Sequence, residues 1–451
     1  MELADLFLAP LYLIILYLIA FGIRDKVTNS YTKQYFIPGL TLKFVGAIGL
    51  GLIYQFYYGG GDTFNYFSAV KGISAAFSSS PVAGIKLLLT SGGVYDHDTA
   101  PFTNNILWYQ TGGSEYLLIR IAAVLGLFCF NNYTVIALFF ACISFSGLWA
   151  MYMTFVKYRP KLYKQLAWTV FYMPSVFFWG SGLLKDTLCL GALGWLFYIL
   201  NRGAIERRNI LRCIIIGIIA TYLLLGLKIY ILLCFLPMSV LWVFNENSSR
   251  IRSNIVRILA KPILFVVGGA IAVVALTSIT KGDEHYDLAK IGERSKTNSD
   301  YLYKVSVEQN GSGYNLGTQD GSIGGMVKLA PMAIITSLFR PFLWEAHNPV
   351  MMLSALEALF FLLFTLRIFY RTGIWATIRL ISSNSVLSLC FVFALIFSAS
   401  VAITSSNFGT LVRYKIQMMP FYLAGLYILE DIARSKTTQH QARRLRIAVA
   451  G

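Results

Sequence analysis

Charged residues are scarce in this chain. Only 13% of its 451 residues are Asp, Glu, Lys or Arg, whereas 57% are hydrophobic. An ordinary soluble domain carries about 25% charged residues. The composition therefore excludes a typical soluble domain and indicates a protein that lies in a membrane.

The cysteine patterns of a disulfide framework or a zinc site are also missing. All six cysteines lie in apolar runs, and none forms a C-x-x-C pair. Buried thiols of this kind behave as small hydrophobic side chains. The sequence predicts no metal site and requires no cofactor, and it leaves a dependence on metal open.

Strict alternation of apolar and polar residues, which a membrane β-barrel needs, is absent from the apolar runs. Continuous runs of about 20 residues are long enough to cross a hydrocarbon core of about 30 Å as helices. We expect an all-α fold, a polytopic transmembrane helix bundle that forms one integral membrane domain over residues 1–451. About eleven spans are predicted, at residues 6–23, 36–57, 135–156, 166–178, 187–200, 213–227, 231–244, 263–279, 351–369, 387–403 and 416–429.

The net charge of +17 is concentrated in short loops between the apolar runs and in the tail at residues 431–451. Such a distribution indicates membrane orientation by the positive-inside rule, and it argues against nucleic-acid binding. The basic loop at residues 24–33 predicts an N-terminus outside and a multi-pass protein of the cell (inner) membrane. The basic tail predicts a cytoplasmic C-terminus. The first run has acidic residues before it and basic residues after it, the reverse of a cleavable signal peptide, so we interpret it as a retained helix.

Two long polar segments, residues 58–133 and 281–349, then fall on the extracytoplasmic side. Each contains an apolar run that is interrupted by charge or proline. Residues 116–130 include Arg120, and residues 326–338 include a lysine and a proline. We expect these two runs to form interfacial helices, which lie on the membrane surface.

Three glycines, Gly59 to Gly61, follow the second span and directly precede Asp62. Glycine permits a sharp turn and a close approach of the backbone to a ligand. Asp62 is the first carboxylate after the span, and aromatic residues flank it. A lone acid at the end of a span is commonly an interfacial residue; the alternative is a general base in a site.

On this topology, ionisable residues gather on the outer face, where they are costly at membrane depth and tend to be functional or paired. Acids beside bases suit transfer from a phosphate-linked donor, because a carboxylate activates a hydroxyl while cations hold the phosphate. Each residue also has a structural interpretation, as a helix-start ion pair or an interfacial anchor. The candidates are Asp62, Lys185, Asp186, Lys228, Arg340, Glu345, His347, Arg413 and Tyr414.

Asp96, His97 and Asp98 have side chains of the kind that bind metals. They lie in a strongly polar loop, where a solvated turn is the simpler prediction.

Four short stretches, in order along most of residues 36–430, resemble the GT-C superfamily of polytopic glycosyltransferases. That superfamily includes protein O-mannosyltransferases and aminoarabinose transferases. The stretches are Gly60-Gly61-Asp62 with Tyr66, residues 115–131 with the span that ends at Lys157-Tyr158-Arg159, Met173-Pro174-Ser175 through Lys185-Asp186, and Leu411-Val412-Arg413-Tyr414 through Pro420-Phe421.

The resemblance implies an enzyme that moves a sugar from a polyprenyl-phosphate carrier to a glycan, lipid or protein acceptor on the extracytoplasmic face. It implies Asp62 as catalytic base and Asp186 as a supporting acid. Lys185, Lys228 and Arg413 would contact the donor phosphate. The family often has two adjacent acids where this chain has the single Asp62.

Two alternatives remain open. The chain is also similar, more weakly, to O-antigen and exopolysaccharide polymerases, in which Arg340 and Arg413 would be functional arginines, so a polymerase or ligase is one alternative. The other is a transporter or flippase for lipid-linked glycans, which needs charges inside the spans. Glu357 is the only acid and Lys43 the only base well inside a predicted span.

Overall fold

The computed structural model describes residues 3–104, 106–248, 291–308 and 312–450, and these ranges are α-helical without a named strand. The helices are α1 Asp5–Val27, α2 Lys33–Leu52, α3 Asp62–Ser79, α4 Pro81–Leu89, α5 Ala100–Thr103, α6 Gly113–Leu127, α7 Tyr133–Tyr158, α8 Tyr163–Ala167, α9 Pro174–Trp179, α10 Lys185–Ile199, α11 Ile210–Asn247, α12 Ile291–Glu308, α13 Ile323–Phe339, α14 Pro349–Thr372, α15 Ile374–Ser383, α16 Ser385–Ser405, α17 Phe408–Tyr414 and α18 Met419–Ala450.

The chain divides into two compact units. The first comprises Met1–Thr154 and Val170–Leu232, and the second comprises Phe155–Thr169 and Leu233–Gly451.

Within the described ranges, seven helices are long and apolar enough to cross a membrane, so the prediction of an all-α fold with several apolar helices of spanning length is confirmed. They are Asp5–Val27, Lys33–Tyr57, Tyr133–Tyr158, Lys185–Ile205, Ile210–Asn247, Pro349–Thr372 and Ser385–Ser405. These helices contain eight of the eleven predicted spans, because Ile210–Asn247 covers two of them.

The other three predicted spans have different outcomes, and the count of about eleven is not confirmed. Residues 166–178 are divided among α8, a π-helical turn and α9, because Met173 is extended before Pro174 at the first turn of α9. Residues 263–279 lie outside the described residues. Residues 416–429 contain a 3₁₀ turn and the start of α18.

The 38-residue helix α11 is interrupted at Lys228, whose φ of −152° and ψ of 77° are not helical. At 1.5 Å per residue an unbroken helix of this length would reach about 57 Å, nearly twice the hydrocarbon thickness. The sequence predicts a turn between two spans at this residue, and the break in the helix lies there.

Side-chain caps define where several helices begin. Each capping side chain accepts a hydrogen bond from a backbone N–H of the first turn, which satisfies a donor that the helix leaves unpaired. The capping residues are Ser80 for α4, Ser322 for α13, Asn348 for α14, Asn384 for α16 and Asn407 for α17.

Both predicted interfacial runs are helical. The first forms α6, which has 15 residues and packs with α3 and α4. Arg120 is accommodated in this apolar run because its Nη1 donates to the carbonyl oxygens of Leu88 (3.3 Å) and Thr90 (2.7 Å), where α4 ends. The second forms α13, which has 17 residues and packs extensively against α16.

The buried base Lys43 in α2 has a similar structural partner. Its Nζ donates to the carbonyl oxygens of Val176 (3.3 Å) and Gly180 (2.6 Å), at the end of α9, and to the hydroxyl of Ser144. A cation is stabilising at a helix C-terminus, where unpaired carbonyls carry partial negative charge. Lys43 therefore fixes a short helix that could not stand alone.

Candidate functional site

Asp62 lies at the first residue of α3, directly after an unusual turn. Helix α2 continues through a π-helical turn, Ile53–Tyr57, and then Gly59, Gly60 and Gly61 have φ values of 69°, 138° and 122°. Only glycine adopts such angles without strain. π-Helical turns are frequent at functional sites. The predicted sharp turn before Asp62 is present, and it leaves this carboxylate half-buried at a helix N-terminus.

Aromatic side chains fix the first turn of α3. The Thr63 and Tyr133 hydroxyls are hydrogen-bonded at 2.8 Å, and the Phe64 ring stacks on that of Tyr133 with 4.6 Å between centroids. Tyr66 lies 5.0 Å from the Trp108 ring. These contacts hold the backbone of α3 in a defined position, so the Asp62 carboxylate is carried on a rigid element.

The turn before Asp62 and the loop before Lys185 meet at one end of the first unit. A Cβ on Gly61 would lie 2.9 Å from the Tyr54 ring, and Tyr54 in turn contacts the Trp179 ring edge-on at 6.5 Å. A Cβ on Gly182 would lie 2.7 Å from the Leu50 side chain. The chain continues from this loop directly into Lys185, the first residue of α10.

Lys185 pairs with a carboxylate that lies 70 residues earlier. Its Nζ donates to Glu115 Oε1 at 2.5 Å and to Ser114 Oγ at 3.1 Å, in the first turn of α6. The side chains of Lys185 and Glu115 are 14% and 31% exposed. Burial raises the pKa of Glu115, but the charge and hydrogen bonds of Lys185 outweigh it and hold that pKa below its usual value.

An ammonium has three N–H donors, and two of those on Lys185 are used by Ser114 and Glu115. The third has no partner among the described residues. Lys185 therefore keeps a donor for an additional acceptor, at a helix N-terminus where anions are favoured.

Asp186 is entirely buried and forms an ion pair with Lys228. Its Oδ1 lies 2.5 Å from Lys228 Nζ, and the two side chains are 0% and 5% exposed. Lys228 is brought there by the break in α11. The first turn of α10 thus takes part in two ion pairs. The pair of Lys185 and Glu115 is partly exposed, and the pair of Asp186 and Lys228 is buried.

Glu115 and Ser114 are the site residues that sequence reasoning missed. The two glycines Gly112 and Gly113, both with positive φ, precede them and start α6. An acid in the first turn of a helix is a common stabilising feature, so only the distant partner Lys185 distinguishes Glu115. A single sequence does not contain that information.

In the second unit, Arg340 and Glu345 form a bidentate ion pair. Arg340 Nε donates to Glu345 Oε2 at 3.1 Å and Nη2 contacts Oε1, while the Phe342 backbone N–H donates to Oε2 at 2.8 Å. Burial raises the pKa of Glu345, and the hydrogen bonds from Arg340 and Phe342 bring it below the usual value. The guanidinium also lies 5.0 Å above the Phe408 ring.

The other candidates of this unit differ in exposure. His347 is exposed, whereas Arg413 is buried and lies 5.7 Å from the half-buried ring of Tyr414. The neighbouring Lys415 donates to the carbonyl oxygens of Ser337 (3.0 Å) and Arg340 (3.3 Å), where α13 ends. Lys415 thus has the same structural role at α13 that Lys43 has at α9.

Asp62, Lys185, Asp186 and Lys228 belong to the first unit, whereas Arg340, Glu345, His347, Arg413 and Tyr414 belong to the second. The structure assembles Lys185, Asp186 and Lys228 around the start of α10 and places Asp62 at the same end of its unit. The predicted assembly of all nine residues into one site stays a prediction.

Asp96 and Asp98 both form ion pairs with Lys86. Lys86 Nζ lies 3.0 Å from Asp96 Oδ2 and 2.5 Å from Asp98 Oδ2. Across the described residues, no group of three or more His, Cys, Asp or Glu side chains is arranged to hold a metal ion. The solvated turn predicted for these residues agrees with this ion-paired arrangement.

No protein-family model matches this chain, and comparisons with curated proteins and with solved structures likewise give no match.

Proposed function

We propose that this protein is a membrane glycosyltransferase of the GT-C type, which moves a sugar from a polyprenyl-phosphate carrier to a glycan, lipid or protein acceptor outside the cytoplasm. The observation that carries the proposal is that Asp62 and Lys185 lie at the same end of the first unit. Each begins a helix, one with a half-buried carboxylate and the other with an ammonium that keeps a donor.

Asp62, Lys185 and the N-terminus of α10 each have a role in the proposed transfer reaction. Asp62 accepts the proton of an acceptor hydroxyl while the hydroxyl oxygen forms a bond to the anomeric carbon of the donor sugar. The bond from that carbon to the phosphate oxygen breaks, and the carrier phosphate leaves with the electron pair. The third N–H of Lys185 and the N-terminus of α10 stabilise the charge on that phosphate. Asp62 then returns the proton to solvent or to the departing phosphate.

The remaining first-unit residues hold this arrangement. Glu115 and Ser114 orient the Lys185 ammonium, and Asp186 acts as a supporting acid through its ion pair with Lys228. Asp186 is fully enclosed, so its role is to fix the start of α10. Arg340, Glu345, His347, Arg413 and Tyr414 are proposed to bind the carrier or the acceptor.

We infer a topology of about eleven spans, with the N-terminus outside and the C-terminus in the cytoplasm of a cell (inner) membrane. The distribution of basic residues supports this orientation. It places Asp62, the start of α10 and the break at Lys228 on the extracytoplasmic side, where a lipid-linked sugar would be used. Residues 58–133 and the predicted segment 281–349 are then the outer loops.

The transporter alternative relies on charges inside the spans. Lys43 has a structural explanation, because it neutralises the end of α9. Glu357 in α14 interacts electrostatically with Lys415. Since carbonyl oxygens hold Lys43 and Glu357 lies near a cation, the two groups add little support for a transport pathway. The polymerase or ligase alternative shares the donor chemistry and is distinguished by its product.

The proposal is tested by replacing Asp62 with Asn. Membranes that contain the wild type or D62N would be incubated with a panel of labelled polyprenyl-phosphate sugars, and release of label from the lipid would be measured. D98N is the matched control, because it makes the same change in a solvated ion pair of the same segment. We expect D62N to lose transfer with an unchanged unfolding midpoint, and D98N to keep it. Full transfer by D62N would refute the proposal.

The length distribution of surface glycan in a deletion strain separates the two enzymatic alternatives. Loss of a single sugar from an otherwise unchanged glycan indicates a transferase, whereas accumulation of single repeat units indicates a polymerase.

A further inference from the structure

An apolar groove of about 550 Å³ opens in the first unit between α1, α2, α7 and α10. Ligand pockets in proteins commonly have volumes of about 300–1,000 Å³. No candidate site residue lines the groove, and its walls are formed by aliphatic and aromatic side chains such as Ile19, Leu40, Phe145 and Trp195.

The polar groups of its two tryptophans already have partners. Trp149 Nε1 donates to the carbonyl oxygen of Val27 at 3.1 Å, and Trp195 Nε1 donates to Ser146 Oγ at 3.0 Å. The indole rings therefore present carbon to the groove and need no polar ligand. The chemistry of the walls favours a hydrocarbon chain as occupant.

The groove is about as long as the hydrocarbon part of one bilayer leaflet is thick. Its lining residues on α1 extend from Leu16 to Val27, and those on α7 extend from Cys142 to Met153. At 1.5 Å per residue each wall is about 16 Å long, close to half of a hydrocarbon core of about 30 Å. One acyl chain of a lipid in a single leaflet has this reach.

One end of the groove is positively charged. Lys26 lines that end and is exposed, and it has no carboxylate partner among the described residues. The neighbouring Arg24 and Lys33 share Asp25, at 3.3 Å and 2.9 Å. The end therefore has excess positive charge at the point where a phospholipid phosphate would lie.

Among the described helices that are long and apolar enough to cross a membrane, α1 is also the least covered by the rest of the protein. Only 11% of its apolar 18-residue stretch is buried, compared with 78% of the corresponding stretch of α7. A chain seated between α1 and α7 would bury apolar surface that the protein itself leaves open. We propose that this groove binds an anionic phospholipid, with its phosphate at Lys26 and one acyl chain along Trp149 and Trp195. This inference is independent of the proposed activity.

The test uses tryptophan quenching in delipidated protein reconstituted into phosphatidylcholine vesicles. Phosphatidylglycerol or phosphatidylcholine brominated on the acyl chain is added at low mole fraction. The contribution of Trp195 is taken from the difference between the wild type and W195F. We expect brominated phosphatidylglycerol to quench Trp195 at about a fivefold lower mole fraction than brominated phosphatidylcholine, the ratio expected from one lysine near an anionic headgroup.

In K26Q this preference should disappear, whereas K164Q, which removes an exposed lysine outside the groove, should keep it. A20L, which adds volume to the groove wall, should weaken quenching by both lipids. Equal quenching by the two lipids in the wild type indicates ordinary boundary lipid and overturns the proposal. Quenching that W195F does not reduce, or a preference that K26Q keeps, also overturns it.

Discussion

Asp186 and Lys228 form an ion pair with almost no contact with solvent, with 2.5 Å between Oδ1 and Nζ. Asp186 begins α10, and Lys228 interrupts α11, 42 residues later in the chain. Taking two charges out of water costs several kcal/mol per ion, and only a close partner offsets that cost. The pair therefore joins the start of α10 to the break in α11.

Removing one charge of this ion pair should destabilise the folded protein much more than removing both charges. We expect D186N or K228M to lower the free energy of unfolding by about 3–5 kcal/mol, because each leaves a buried charge without its counterion. The double variant D186L/K228M should recover much of that loss. Denaturant unfolding of the purified protein in detergent gives the three values. K86Q, which breaks the solvated pair with Asp98, should have little effect; single variants as stable as K86Q would contradict this account.

The pair of Glu115 and Lys185 should make stability depend on pH in the acid range. The pKa of Glu115 is lowered in the folded protein, so its contribution is fully present above the unfolded pKa of about 4.5. It is lost as the pH falls through the lower, folded pKa. We expect the stability difference between wild type and E115Q to shrink between pH 6 and pH 3. A difference that stays constant over this interval would contradict the ion pair.

Much of this fold follows from the sequence, but the chemistry at the start of α10 does so only in part. Apolar run lengths predicted the seven described helices that are long and apolar enough to cross a membrane, and a single lysine between two runs predicted the break at Lys228. The division of residues 166–178 depends on Pro174 and a π-helical turn, which a hydropathy count does not detect. Glu115 was missed because the partner that distinguishes it is 70 residues away.

Lys415 should make stability depend on pH in the basic range. Burial lowers its pKa to about 8 from 10.5, although the charge of Glu357 partly offsets this effect. Between those two values the unfolded chain binds more protons, so stability rises with pH, by about 3 kcal/mol over the whole interval. We expect the wild type to gain stability relative to K415M between pH 7 and pH 10. No relative gain would mean that Lys415 is hydrated in the folded protein.

The crossing of α7 and α10 leaves no room for a side chain at Gly147. A Cβ there would lie 1.9 Å from the carbonyl oxygen of Gly191, and a Cβ on Gly194 would lie 2.2 Å from the carbonyl oxygen of Gly147. Small residues at such crossings let helix backbones approach closely inside a membrane. The obstacle is backbone, which does not rotate away, so the helices must separate.

We expect G147A to lower the free energy of unfolding by about 1–3 kcal/mol, the usual cost of overpacking. Gly49 in α2 is the matched control, because the nearest atom to its Cβ, on the Phe178 ring, is 3.8 Å away. Alanine is the better helix former by up to about 1 kcal/mol, so G49A should be neutral or stabilising. The two substitutions make the same chemical change, and only G147A should destabilise the protein in the same unfolding assay. A destabilisation by G49A as large as that by G147A would attribute the effect to alanine itself and refute the close crossing.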